Sequence, residues 1–300
     1  GRRMTFPDPV QYAIPLFIIA MVIEMIAIRR GARGAYDWRD TGTSLAMGLG
    51  NTLAGAALGG AVVALAFQLW DWRLFTLPVT WWSLALCFVL DDLAYYWFHR
   101  SAHRVRWFWA SHVIHHSSQH YNLSTALRQT WTGFFSLSFL FRCPLFLLGF
   151  HPGLVFFCGG LNLIYQFFIH TESVGRLPRW VEAVMNTPSH HRVHHGTNPA
   201  YLDRNYAGVF IVWDRMFGIF VAEDAAEPAR YGIVRNLASF NPLWVAMHEW
   251  VGIARDLLAA RSLRAAWMAM AGPPGWKTGE TSDVIRARAL VMPPAGQPAE

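Results

Sequence analysis

The chain is short of charge and of cysteine. Of its 300 residues only 15% are Asp, Glu, Lys or Arg, whereas 54% are hydrophobic, and the mean hydropathy is +0.23. A soluble domain carries about a quarter charged residues, so the balance points to an integral membrane protein. Cys87, Cys143 and Cys158 are scattered through apolar stretches, which excludes a disulfide framework and a thiolate metal site. The sequence has no internal repeat and no dinucleotide-binding glycine loop. Its formal net charge is +6, yet the arginines fall in loops between apolar runs rather than along one basic face, so nucleic acid is not the expected partner.

Long apolar runs are what the chain has instead. Val10 to Ile28, interrupted by Glu24, is followed by Arg29, Arg30, Arg33 and Arg39. About 20 residues at about 1.5 Å each cross the hydrocarbon layer, and the arginines place the end of this run in the cytoplasm. Thr43 to Trp70, rich in Gly and Ala, returns the chain, and Val79 to Phe98 comes back with Trp81 and Trp82 at its outer end. Trp131 to Phe150 and Leu154 to Ile169 read as two arms of a hairpin around His151, Pro152 and Gly153. The polar stretch Arg176 to Asn241 reads as a cytosolic cap, and Leu243 to Leu258, broken by Glu249, Arg255 and Asp256, as an interfacial helix. The expected architecture is all-α: a polytopic membrane helical bundle with a cytosolic histidine-rich helical cap. It forms one domain over 4–272, followed by a weakly ordered tail at 273–300.

Three histidine clusters lie beside these runs: His99 with His103; His112 with His115 and His116; His191 with His194 and His195. Spacings of three or four residues stack rings on one helical face, where neutral nitrogens can converge on a metal. The topology places His170 on the same side. Nine imidazoles exceed one ion's coordination and suit two. His190 precedes the third cluster and is a possible additional ligand, His120 reads as a residue behind the ligands or on the surface, and His151 and His248 read as structural. Asp92 lies two helical turns before His99 and is expected to hold a ligand imidazole through its second nitrogen. Glu172, two residues past His170, is a candidate contact for a polar cofactor. Imidazoles suit zinc, copper, iron or nickel, so the donors alone leave the metal open. Convergence at one membrane face separates this pattern from a metal transporter, whose ligands line a path near mid-bilayer. An intramembrane zinc protease would need a glutamate where Arg100 stands.

The segments DDLAYYWFHRSAH (91–103), SHVIHHSSQHYN (111–122) and SHHRVHH (189–195) resemble the three histidine boxes of the membrane fatty acid hydroxylase/sterol desaturase superfamily. The resemblance covers about 79–220 and includes DRNYAGVFIVWDRMFG at 203–218. Within the superfamily, YNLSTALRQ, QFFIHTE and NTPSHHRVHHG look most like the alkylglycerol monooxygenases. This resemblance implies two iron ions held by His99, His103, His112, His115, His116, His170, His191, His194 and His195. It also implies dioxygen as co-substrate, a membrane lipid as substrate, and tetrahydrobiopterin or another reductant, including an electron-donor protein. The implied reaction is lipid hydroxylation, with glyceryl ether cleavage as one form of it. Desaturation of a sterol or fatty acyl lipid on the same di-iron core is the alternative.

Overall fold

The computed structural model describes residues 6–276; the part of the expected tail from 277 onward lies outside the described residues. Among the described residues the chain is helical, with only an isolated bridge between Met185 and Phe210. Three helices among the described residues are long and apolar enough to cross a membrane: α1 (Pro9–Arg29), α2 (Trp38–Asp71) and α6 (Pro152–Ile169). Each begins where the sequence supplies a cap. Asp8 accepts from Val10 N ahead of Pro9, Asp37 accepts from Arg39 N and Asp40 N, and His151 Nδ1 accepts from Gly153 N, satisfying amide groups that a helix start leaves free.

Helix α3 (Trp81–Arg104) starts at a Thr80–Ser83 capping box and packs most closely on α6 and on α4 (Arg106–His116). Arg142 Nε donates to the wholly buried Asp91 of α3 at 2.6 Å. This ion pair ties α3 to the 3-10 segment Ser138–Arg142, which leads into α5 (Cys143–Leu148).

The expected first hairpin arm, Trp131–Phe150, is not one helix. Turns occupy its first third, and the apolar helical part, Ser138–Leu148, is too short to cross a membrane. Pro144 suits the first turn of α5 but could not continue a helix through it. At the other end Gly149 adopts φ +115°, and a Cβ there would meet Phe75 O at 2.0 Å, so the chain must stop and turn at that glycine.

Beyond α6 come α7 (Arg179–Val184), α8 (Pro188–His195), α9 (Val212–Met216), α10 (Pro242–Ala259) and α11 (Leu263–Ala271). The bundle has two distinct ends. At one, Asn122 Nδ2 donates to Ala35 O at 2.8 Å and Ser173 Oγ to Arg33 O at 2.9 Å, bringing the α1–α2 loop against the segments that follow α4 and α6. Buried Glu24 near the end of α1 accepts from Tyr36, Thr171 and Leu123 N. At the other end Leu74 N donates to Leu147 O, while Phe6, Phe67 and Trp70 pack around His151. All three histidine clusters lie at the first end.

Candidate metal centre

The clusters combine into two groups. His99, His103, His112, His116 and His194 form one, and His115, His170, His191 and His195 the other; within each, one nitrogen per ring lies within 4.8 Å of all the others. Helical spacing explains the division. His112 and His116 are four residues apart and share a face of α4, while His115, about 100° round from its neighbour, turns to the second group. On α8 the same rule sends His191 and His195 to the second group and His194 to the first. Rings of His116 and His195 stack at 4.3 Å between centroids, joining the groups.

The donors fit metal ions. In the first group the Nε2 atoms of His99 and His112 are 2.9 Å apart, those of His112 and His116 3.1 Å, and those of His116 and His194 3.2 Å. In the second, His170 Nε2 is 3.0 Å from His115 Nε2 and 3.0 Å from His191 Nε2. The outer nitrogens face backbone carbonyls: His99 Nδ1 donates to Tyr206 O, His170 Nδ1 to Gln166 O and His194 Nδ1 to Arg204 O. A ring that donates from Nδ1 presents a lone pair at Nε2. The lone pairs of His99, His170 and His194 therefore point at neighbouring Nε2 atoms about 3 Å away, the separation of nitrogen donors gathered around one cation. His103 Nε2 and His195 Nε2 are likewise buried without a protein partner. Burial pushes His115 down to about 4 and His194 to about 3, and holds the other rings below the usual histidine range, so all nine are neutral near neutral pH and able to ligate.

Local sequence places these rings. Thr187 caps α8 and Pro188 opens it; every residue of α8 is buried. Arg192 on this helix forms a bidentate pair with Glu223 and donates to Thr171 O and Val174 O. The segment after α8 folds over α3. Asp214 accepts from Tyr206 N at 2.7 Å and Ala207 N at 2.8 Å, orienting the Tyr206 carbonyl that meets His99. Burial raises the Asp214 carboxyl to about 7.

Asp92 has partners other than those the sequence suggested. It accepts from Asn162 Nδ2, Val209 N, Phe210 N and Trp213 Nε1 rather than from a metal-site imidazole. Seven residues do return to the same helix face, but about 10 Å further along the axis, too far to reach the His99 ring. A Cβ at Gly208 would meet Asp92 Oδ1 at 2.7 Å, so glycine allows this close seat. His190 also turns away from both groups: Nε2 lies 2.7 Å from Glu182 Oε2, and Nδ1 donates to Met185 O. His120 belongs to neither group, and His248 Nδ1 donates to Val245 O. Glu172 Oε1 accepts from Tyr231 OH at 3.1 Å. Tyr231 stacks on Tyr121 at 4.8 Å and 10°, and Tyr121 lies 5.1 Å from the His195 ring. Asp214 and Tyr231 have no helical spacing relative to the histidines that would mark them in sequence.

On the α3 side of the first group an apolar groove of about 600 Å³ runs between α3 and Ser138–Leu148. Its floor includes Leu90, Trp97, Phe108, Phe141, Leu145 and Leu148.

Comparison with known proteins agrees with this geometry. Residues 84–219 match the family model described as fatty acid hydroxylase. Alkylglycerol monooxygenase of Xenopus tropicalis is 39% identical over 279 residues, and that of Homo sapiens 39% over 283; each alignment covers 91% of this chain and 61% of the relative. An ornithine lipid hydroxylase of Rhizobium tropici is 25% identical over 201 residues, 66% of this chain and 59% of that protein. No solved structure matches. The chain spans about three-fifths of the length of the alkylglycerol monooxygenases it matches. Over 84–219 the chain is thus similar to the fatty acid hydroxylase family and over most of its length to the alkylglycerol monooxygenases, and its three apolar helices and two convergent histidine groups fit a membrane protein of that kind.

Proposed function

We propose that this chain is a non-haem di-iron monooxygenase that hydroxylates a membrane lipid with dioxygen, with a glyceryl ether as the leading substrate. The observation that carries the reading is a pair of adjoining all-imidazole groups with an apolar groove on the α3 side of the first. His99, His103, His112, His116 and His194 would hold one iron, and His115, His170, His191 and His195 the other. Iron bound there would supply oxygen activation and abstraction of hydrogen from an unactivated carbon. The protein's own task is positional: the groove presents an alkyl chain, and the buried histidines exclude bulk water. A chain that passes sideways from the bilayer avoids exposing methylenes to water, at about 0.8 kcal/mol each. Hydroxylation of the carbon beside an ether oxygen gives a hemiacetal, which separates into aldehyde and alcohol.

The second group has other neighbours: Tyr121 beside His195 stacks on Tyr231, which donates to Glu172, and a flat polar reductant such as tetrahydrobiopterin would meet the Tyr231 ring and this carboxylate there. The test is mass spectrometry of lipids after the iron-loaded protein has met labelled dioxygen, with reduced pterin and an electron-donor protein as separate arms. Labelled oxygen in an ether-derived product supports the reading. A new double bond without oxygen incorporation replaces it with desaturation, and lipid-independent metal flux would replace it with transport.

A further inference from the structure

The groove does not open freely onto the histidines. Phe98 stands between them: its ring is 6.4 Å from His112 and 5.7 Å from Phe141, and Phe141 is 5.5 Å from Phe108. Phe108 and Phe141 belong to the groove wall, whereas Phe98 lies behind it, toward the metal positions. An aromatic layer thus separates the site that would hold a chain from the group that would act on it.

That layer matters because of the solvent. A chain leaving the bilayer for the groove exchanges one hydrocarbon environment for another, and lipid tails are as apolar as leucine. Burial of apolar area, which discriminates between ligands in water, therefore contributes little here. What remains is shape. Ring edges in edge-to-face contact leave passage only if they part, and a thin, unbranched chain requires the smallest parting. The neighbouring supports are firm: α3 carries Phe98, and the Asp91–Arg142 pair fixes the residue beside Phe141.

We propose that Phe98 and Phe141 form a selectivity gate between the groove and the five-histidine group, passing a single unbranched alkyl chain and rejecting chains branched near the reacting carbon. The inference rests on the oxygenase reading for its reaction, but the gate itself is a statement about passage. It makes both residues specificity determinants and neither a catalytic residue.

Two measurements test it together. In the first, iron-loaded protein receives straight-chain and methyl-branched glyceryl ethers in competition. Wild type should favour the straight chain, Phe141→Ala should lower that preference about tenfold, the discrimination one methylene commonly supports, and Phe141→Leu should retain part of it. In the second, zinc-loaded protein, which the same imidazoles accept, receives a branched alkylglycerol carrying a photoreactive diazirine. Crosslinks should stay at Leu145 and Leu148 in wild type and reach His112 in Phe141→Ala. An unchanged preference in Phe141→Ala with both metals retained overturns the gate, as does crosslinking of the branched compound to His112 in wild type. Should no protein consume lipid while the crosslinks still move to His112, the gate stands and the oxygenase reading falls.

Discussion

At the scale of single residues, the two groups make separable demands. His115 belongs to one and His194 to the other, so each alanine variant should reduce bound metal from two ions per chain toward one, and the double variant should hold neither firmly. Elemental analysis of the purified variants checks this; one ion per wild-type chain would contradict the two-site arrangement. Asp214 acts at one remove. Its loss leaves Tyr206 N and Ala207 N without their acceptor in a buried place, at about 1–3 kcal/mol for each unsatisfied group. It also frees the carbonyl that orients His99. Asp214→Ala is expected to lower the melting temperature and to weaken metal binding about 10- to 100-fold, the range for loss of a ligand's outer partner. Unchanged affinity measured by chelator competition would show that the Tyr206 carbonyl keeps its place unaided. The sequence displayed eight of the histidines because helical periodicity puts side chains at fixed offsets, and His170 because the topology returns it to the same end. It did not display Asp214, because a carboxylate capping a loop obeys no period, and it misdirected Asp92, because a shared helix face says nothing of the distance along the axis.

At the scale of elements, apolar length was a good guide where helices are continuous and a poor one where backbone punctuation intervenes. The runs beginning near Val10, Thr43, Val79 and Leu154 became α1, α2, α3 and α6, each starting at a recognisable cap. The run at Trp131 was equally apolar but is broken by Pro144, Gly149 and a left-handed Leu137 at φ 61°. Its departure from a spanning helix is what builds the groove, since the short segment packs against α3 instead of crossing beside it. Arg142 and Asp91 hold it there. Asp91→Leu alone should strand Arg142 and loosen the segment, costing about 3 kcal/mol as for other broken buried pairs. Asp91→Leu combined with Arg142→Met should recover most of that loss. Thermal unfolding of wild type, Asp91→Leu, Arg142→Met and the double variant in detergent measures the coupling, and additive losses would mean that the pair does not secure the segment.

At the scale of the whole molecule, the placement of the loops predicts an orientation. The α1–α2 loop with Arg29, Arg30 and Arg33 touches the histidine end through Asn122 and Ser173, and Arg100, Arg104 and Arg106 cluster there too, at the ends of α3 and α4. At the opposite end, the α2–α3 loop carries Arg73. An excess of arginine in short loops marks the cytoplasmic side, so the metal centre is expected to face the cytoplasm. The 18 residues of α6 rise about 27 Å, enough to set His151 at the far face from His170. Single cysteines at the exposed positions Arg33, Gln119 and Thr76 test this in a background carrying Cys143→Ser, the native cysteine that is not fully buried. An impermeant maleimide applied outside intact cells should label Thr76→Cys alone, and Arg33→Cys and Gln119→Cys should react only after permeabilisation. Labelling of both of the latter from outside would invert the protein in its membrane while keeping its architecture. Labelling of only one of them would separate the α1–α2 loop from the histidine end and remove the common face on which the metal centre depends.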